Sequence, residues 1–158
     1  MSDRFKERQL ILLRGMPGAG KSTFAKYLTK EINSYRHVEG DQWRGFGDVR
    51  EYNREYNENA HLYAIGHTAH LLRFTALNVV VSNTFPTLKH LKPFFDLAHE
   101  LNNRKVEKYN IKVTVMHVQG PLGRSVQSPA GVGCNHPDDI QAYLDIWEDY
   151  QGEFDAAV

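Results

Sequence analysis

Cysteine is almost absent: Cys134 stands alone among 158 residues, so no intrachain disulfide can form and a reducing cytoplasm is the expected setting. A small loop or core position is the preferred reading of Cys134. No apolar run approaches the ~20 residues needed to span a bilayer, so no membrane partner is expected. The opening segment from Met1 to Arg8 is charged and lacks the apolar centre of a secretion signal. Net charge is also missing, with 19 basic against 19 acidic residues. A pI near 7.1 gives no support for a broad nucleic-acid-binding surface. Repeats, low-complexity tracts and Pro/Ser-rich linkers are lacking too. The length therefore fits a single domain over residues 1–158.

The charge that is present is unevenly placed. From Asp138 onward there are seven acids and no Lys or Arg, leaving the preceding residues with seven more bases than acids. A body positive around an anion site suits phosphate ligands, and the acidic tail reads most simply as a solvated helix face.

Gly15-Met16-Pro17-Gly18-Ala19-Gly20-Lys21-Ser22 is a complete G-x-x-x-x-G-K-[ST] pattern. The run Leu10-Ile11-Leu12-Leu13 before it reads as a buried strand. Phe24, Tyr27, Leu28 and Ile32 after it fall at helical spacing. Strand, glycine-rich turn and helix are what phosphate binding requires. Backbone N–H groups close around the phosphates, and the helix N-terminus adds positive potential. Gly15, Pro17, Gly18, Ala19, Gly20, Lys21, Ser22 and Thr23 are the expected nucleotide contacts. Lys21 is expected on the β and γ phosphates, with the Ser22 hydroxyl on Mg2+.

Further along, Arg36 to Glu39 reads as a second strand, turning at Gly40-Asp41-Gln42-Trp43. Residues 44–59 read as a polar stretch. Leu62, Ile65, Ala69 and Leu72 mark a helix face, and Val79-Val80-Val81 a strand ending in Ser82-Asn83-Thr84. Phe94, Leu97, Ala98 and Leu101 form another helical stripe, with Pro93 expected in its first turn. Ile111, Val113 and Val115 alternate as in a strand. Residues 119–136 read as a loop, and a last helix is expected from Pro137, with Ile140, Tyr143, Leu144 and Trp147 as its apolar face. Alternating strands and helices imply an α/β fold, a mostly parallel sheet of four to five strands with helices on both faces. The ends of its strands, with the loop, Asp41, Asn83 and Thr84, should meet at one edge.

Asp41 is the one carboxylate this reading places at that edge. Two roles are open for it: a base that takes a proton from an acceptor hydroxyl, or a turn residue that holds waters around Mg2+. The third strand lacks a metal-directed aspartate, so Mg2+ is expected to rest mainly on Ser22 and the nucleotide. Arg124 is the only Arg or Lys of the 119–136 loop. Either the loop is a lid and Arg124 stabilises transition-state charge, or Arg124 is a solvated surface residue. Arg44 either grips an acceptor's phosphate or lies on the surface. His67 and His70, three apart on a helix with His61, could pair on a metal, but without a third ligand at a recognisable spacing all three read as core or surface histidines. Tyr52, Tyr56 and Tyr63 read as packing rather than base-stacking groups.

Several of these segments together resemble a known family. Leu13-Arg14-Gly15-Met16-Pro17-Gly18-Ala19-Gly20-Lys21-Ser22-Thr23 is similar to R-G-x-P-G-x-G-K-S-T, and Asp41-Gln42-Trp43-Arg44 to D-x-x-R. Ala60-His61 matches an A-H pair, and Ser82-Asn83-Thr84-Phe85 lines up with D-N-T-N or S-D-T-N. The chain thus resembles the P-loop kinases typified by the 5′-kinase domain of phage polynucleotide kinase and its stand-alone phage and bacterial relatives, in the AAA ATPase-like zeta toxin/polynucleotide kinase group. The resemblance implies a P-loop NTPase three-layer sandwich with a short lid at about 119–136. It also implies ATP and Mg2+ as cofactors, and a host cytoplasm were the chain phage-encoded. By the same resemblance Asp41 would be the base for a 5′-hydroxyl of DNA or RNA, Arg44, Asn83 and Thr84 acceptor contacts, and Arg124 the lid arginine. Lys21, Asp41 and Arg124 would then carry the chemistry. Ser82-Asn83 lacks the family's aspartate, Phe85 replaces its asparagine, and no D-x-D-G-T phosphatase motif follows. The rival readings are a small-molecule nucleoside or nucleotide kinase and a non-catalytic ATP-binding regulator. ATP versus GTP preference and oligomeric state have no signature in the sequence.

Overall fold

The computed structural model describes residues 3–16, 19–40, 54–118 and 143–157. The expected lid at 119–136, the start of the last helix, Cys134 and Tyr52 lie outside the described residues. A 3-10 turn, Asp3–Phe5, leads into β1 (Arg8–Arg14), followed by α1 (Lys21–Glu31) and β2 (Tyr35–Glu39). Then come α2 (Arg54–Phe74), β3 (Asn78–Ser82), α3 (Leu88–Asn102) and β4 (Ile111–His117). The four strands form one parallel sheet in the order β2-β3-β1-β4. Leu10 pairs with Val79 and Val113, and Glu39 with Ser82. This is the α/β architecture expected from the alternation of elements.

Strand parity builds the two faces. Leu10, Leu12, Val38, Val79 and Val81 turn toward α2 and α3, where Ala64, Leu72, Leu91, Phe94 and Leu101 are fully buried. Leu13 and Val80 turn the other way, onto Ala25, Phe24 and Leu28 of α1. Arg8, buried at the bottom of β1, donates to the carbonyls of Leu72, Thr75 and Leu77. It thereby satisfies orphan groups at the end of α2. Among the described residues, no helix is long and apolar enough to cross a membrane.

Several expected elements differ in extent. α2 begins at Arg54, inside the stretch read as polar, because its first turns carry no apolar periodicity to reveal them. Its buried face runs through Ala60, Ala64, Thr68, Leu71 and Leu72, while Leu62 is 64% exposed. Small residues at four-residue spacing bring that helix close to the sheet, and Leu62 lies on the opposite side. Tyr27 is likewise exposed, leaving Phe24, Ala25 and Leu28 as the inward face of α1. The α3 stripe is as expected, but Pro93 sits inside the helix rather than in its first turn. There it forgoes the bond its N–H would make to the carbonyl of Lys89.

The last helix ends earlier than expected. Residues 143–146 are helical and 147–150 are not. Trp147 N–H bonds back to Leu144 O at 3.3 Å, and Glu148 N–H is spent on Pro86 O at 2.8 Å. Leu144 is consequently exposed rather than part of an apolar face. The acids here are also not merely a solvated face: Asp149 and Glu148 oppose the effect of burial on the Arg14 guanidinium.

His61 on α2 meets His90 on α3 edge to face at 5.4 Å, beside Phe94. Burial, reinforced by His90, pushes the His61 pKa down from 6.5 to about 4. His37, His67, His90 and His117 are shifted in the same direction, chiefly by burial. Between those limits the unfolded chain binds more protons than the folded one, so stability falls as pH drops from about 6.5 toward 4. Urea titrations at pH 7.5 and pH 5 should show the lower midpoint at pH 5, with a smaller difference in His61→Phe.

Candidate functional site

The phosphate-binding loop leaves the central strand between β3 and β4, at the edge where all four strands end. Gly15 N–H points to Thr84 O at 3.4 Å, Val118 N–H bonds Arg14 O at 2.8 Å, and Asn83 N–H bonds Leu13 O at 3.1 Å. The loop's entry is thus laced to both neighbouring strand ends. A Cβ on Gly15 would sit 2.4 Å from Val118 O, a backbone atom of the residue whose N–H is already bonded to Arg14 O. Gly15→Ala should therefore cost about 1–3 kcal/mol of stability by overpacking, seen in urea unfolding, and should weaken nucleotide binding. Wild-type stability and nucleotide affinity in that variant would show that the entry tolerates a shift.

At the other end Gly20 adopts φ 100°, a left-handed conformation natural to glycine, and α1 begins at the next residue. Ala19 is buried and Thr23 exposed. Pro17 and Gly18 lie outside the described residues. Lys21 Nζ donates to Gly15 O at 2.8 Å and Met16 O at 3.0 Å, which curls its ammonium back over the loop. A phosphate entering the loop meets the free end of α1 and this charge together.

Ser22 Oγ donates to Glu39 Oε2 at 2.7 Å. The same carboxylate oxygen accepts from Ser82 Oγ at 3.2 Å and has His37 Nε2 3.6 Å away. His37 Nε2 lies 2.6 Å from Ser82 Oγ. When the single Ser82 proton is donated to Glu39, the Nε2–H tautomer of His37 donates to the Ser82 oxygen. Burial lowers the His37 pKa, with Glu39 acting in the opposite sense. Glu39 is thus a carboxylate at this edge beside the one expected there, Asp41. In sequence Glu39 reads simply as the end of the second strand. Strand parity carried the signal: Val38 enters the core on the α2–α3 face, so His37 and Glu39 face α1, where Ser22 lies.

Asn83 and Thr84 arrive at the same edge after β3. Asn83 Oδ1 accepts the N–H of Gly40 at 2.9 Å, and a Cβ on Gly40 would press on Asn83 and Ala60 at 3.2–3.4 Å. Asn83 therefore fixes the backbone immediately before Asp41. Asp41, Arg44 and Arg124 lie outside the described residues.

Below this edge, Arg14 Nε and Nη2 donate to Phe85 O at 3.1 and 2.6 Å. Phe85 has a φ of 48°, an uncommon conformation for a bulky residue, held by these bonds and by packing on Phe94. The Arg14 guanidinium lies 4.1 Å from the Trp147 ring centre, and His117 stacks on the same ring at 5.0 Å. The described C-terminal segment is thereby clamped beside the ends of β1 and β4.

His67 and His70 pack against Tyr63 and Phe74 rather than converging on a metal. Among the described residues, no group of three or more His, Cys, Asp or Glu side chains is placed to hold one. A cleft of about 570 Å3 flanks β4, lined by residues including Phe95, Asn102, Ile111 and Tyr150, with none of the loop residues.

This sheet order, with the loop leaving its central strand, defines a P-loop kinase-like nucleotide-binding fold. The AAA_33 family model, described as an AAA domain, matches residues 10–117, and the chain belongs to that family of P-loop kinase domains. No curated protein matches the sequence. Among solved structures, a chain of the Pnkp1/Rnl/Hen1 complex is 25% identical over 72% of this chain and 36% of its own, with a TM-score of 0.56. A chain of the Pnkp1/Rnl/Hen1 RNA repair complex is 23% identical over 88% of this chain and 43% of its own, at a TM-score of 0.64. This chain therefore spans less than half the length of those two. A gluconokinase from Sinorhizobium meliloti 1021 is 16% identical, with 93% and 79% coverage and a TM-score of 0.60.

Proposed function

We propose that the protein is an ATP-dependent phosphotransferase that moves the γ-phosphoryl group to the 5′-hydroxyl end of DNA or RNA. The observation that carries this reading is the convergence at one sheet edge of Lys21, Ser22 and Gly40, with Gly40 pinned by Asn83 directly before Asp41. Family membership supports nucleotide binding and kinase chemistry. The D-x-x-R spacing from Asp41 to Arg44, and the 25% identity to a chain of the Pnkp1/Rnl/Hen1 complex, favour a polynucleotide acceptor.

Loop amides and Lys21 hold the β and γ phosphates, and Asn83 and Thr84 shape the acceptor side. Asp41 takes the proton of the acceptor hydroxyl as its oxygen forms a bond to the γ-phosphorus. The bond from that phosphorus to the β,γ-bridging oxygen breaks, and ADP leaves with the electron pair. Arg44 steadies the acceptor strand, and Arg124 adds positive charge over the phosphates as the transition state forms. Ser22 supplies a hard oxygen beside a carboxylate, a donor set that fits Mg2+. When bound, that ion neutralises charge on the phosphate oxygens.

A second reading, a small-molecule kinase, draws on the gluconokinase, whose fold this chain matches across 79% of that protein's length. Incubation with γ-labelled ATP and a panel of 5′-hydroxyl DNA, 5′-hydroxyl RNA, nucleosides, nucleoside monophosphates and gluconate separates the two. Label on oligonucleotide 5′ ends in preference to the small acceptors is the expected result. Preferential labelling of a small acceptor would transfer the proposal to the second reading, and label on none would remove it.

A further inference from the structure

P-loop sites pair a loop hydroxyl with a carboxylate that organises the divalent cation, yet β3 ends here in Ser82, followed by Asn83. A carboxylate is nevertheless present, one strand over. Glu39 closes β2 and sits in register with Ser82 of β3. Its Oε2 accepts the Ser22 hydroxyl at 2.7 Å and the Ser82 hydroxyl at 3.2 Å. Its side chain is 18% exposed and that of His37 10%, so the group is partly shielded but still reaches the loop.

We infer that Glu39 is the metal-directed carboxylate of this site, held in place by Ser82 and His37, and that it replaces an acid at the end of β3. The inference rests on the reading of the loop as an ATP·Mg2+ site. By accepting the Ser22 hydrogen, Glu39 turns the hydroxyl's lone pairs away from itself and toward an incoming cation. A carboxylate there also accepts hydrogen bonds from waters that Mg2+ retains. Ser82 is a positioning residue. The residue is buried, 3% exposed, and its hydroxyl bridges His37 to the carboxylate. The β2–β3 register therefore brings acid and anchor side by side without an aspartate on β3.

The test reads metal binding rather than turnover. Mn2+ affinity is measured by electron paramagnetic resonance with a saturating non-hydrolysable ATP analogue, in wild type, Glu39→Gln, Ser82→Ala and Asp41→Asn. Binding of a fluorescent ATP analogue in EDTA is measured alongside. Glu39→Gln should weaken Mn2+ about 10–100-fold. Its metal-free nucleotide affinity should not fall, because the change removes a negative charge beside the phosphates. Ser82→Ala should show a smaller loss in the same direction, and it keeps the test decisive if Glu39→Gln does not fold. Unchanged Mn2+ affinity in both variants, or a large loss confined to Asp41→Asn, overturns the assignment. Failure of the wild-type protein to bind the nucleotide at all would instead strike the ATP-site reading beneath it.

Discussion

Replacing Asp41 by asparagine is expected to lower turnover by about 10²–10⁴-fold while leaving ATP affinity near wild type. Asparagine keeps the size and much of the hydrogen bonding of aspartate but cannot accept a proton at neutral pH. If Asp41 is the base, the loss falls on kcat and the nucleotide KM barely changes. Gly40, the last described residue before Asp41, donates its N–H to Asn83 Oδ1, and a Cβ there would press on Ala60. Single-turnover transfer to a 5′-hydroxyl oligonucleotide, with nucleotide binding measured separately, decides it. Unchanged turnover would take the base role from Asp41. A parallel loss of metal affinity would place Asp41 beside the cation instead.

A second large effect is expected at Lys21. Its ammonium now bonds two loop carbonyls, those of Gly15 and Met16. An arriving triphosphate offers anionic oxygens in exchange for neutral ones, a stronger charge-assisted contact. Lys21→Met keeps the length and the helix while removing the charge. A loss of about 10²–10³-fold in transfer is expected, the scale of removing one preorganised donor from a transition state. Lys21→Arg should not restore activity, since a planar fork does not reproduce a compact ammonium curled over the loop. Transfer within a few-fold of wild type in Lys21→Met would mean that the loop amides alone carry the phosphate charge.

The phosphate loop was legible because its motif, strand and helix are contiguous in sequence. The parallel sheet was legible because strands and helices alternate, and the α3 stripe because Phe94, Leu97, Ala98 and Leu101 repeat at helical spacing. What the sequence does not reveal depends on partners far along the chain. Glu39 becomes a site residue only because the β2–β3 register sets it beside Ser82 and because α1 brings Ser22 to it. Arg14 reads as an ordinary strand end until Phe85 and Trp147 close around its guanidinium. The first turns of α2 had no apolar repeat to betray them, and its buried face is written in Ala60, Ala64 and Thr68, which a search for large apolar residues passes over. The end of the last helix is set by Glu148 bonding to Pro86, a contact between distant segments.

The most direct test of the whole account is a crystal structure with a β,γ-imido ATP analogue and Mg2+. The account predicts the triphosphate within the Gly15–Ser22 loop, Lys21 on its β and γ oxygens, and the cation beside Ser22 with Glu39 facing its waters. An analogue bound elsewhere with the loop unoccupied, or Lys21 still bonded to Gly15 and Met16 beneath a bound triphosphate, would contradict it.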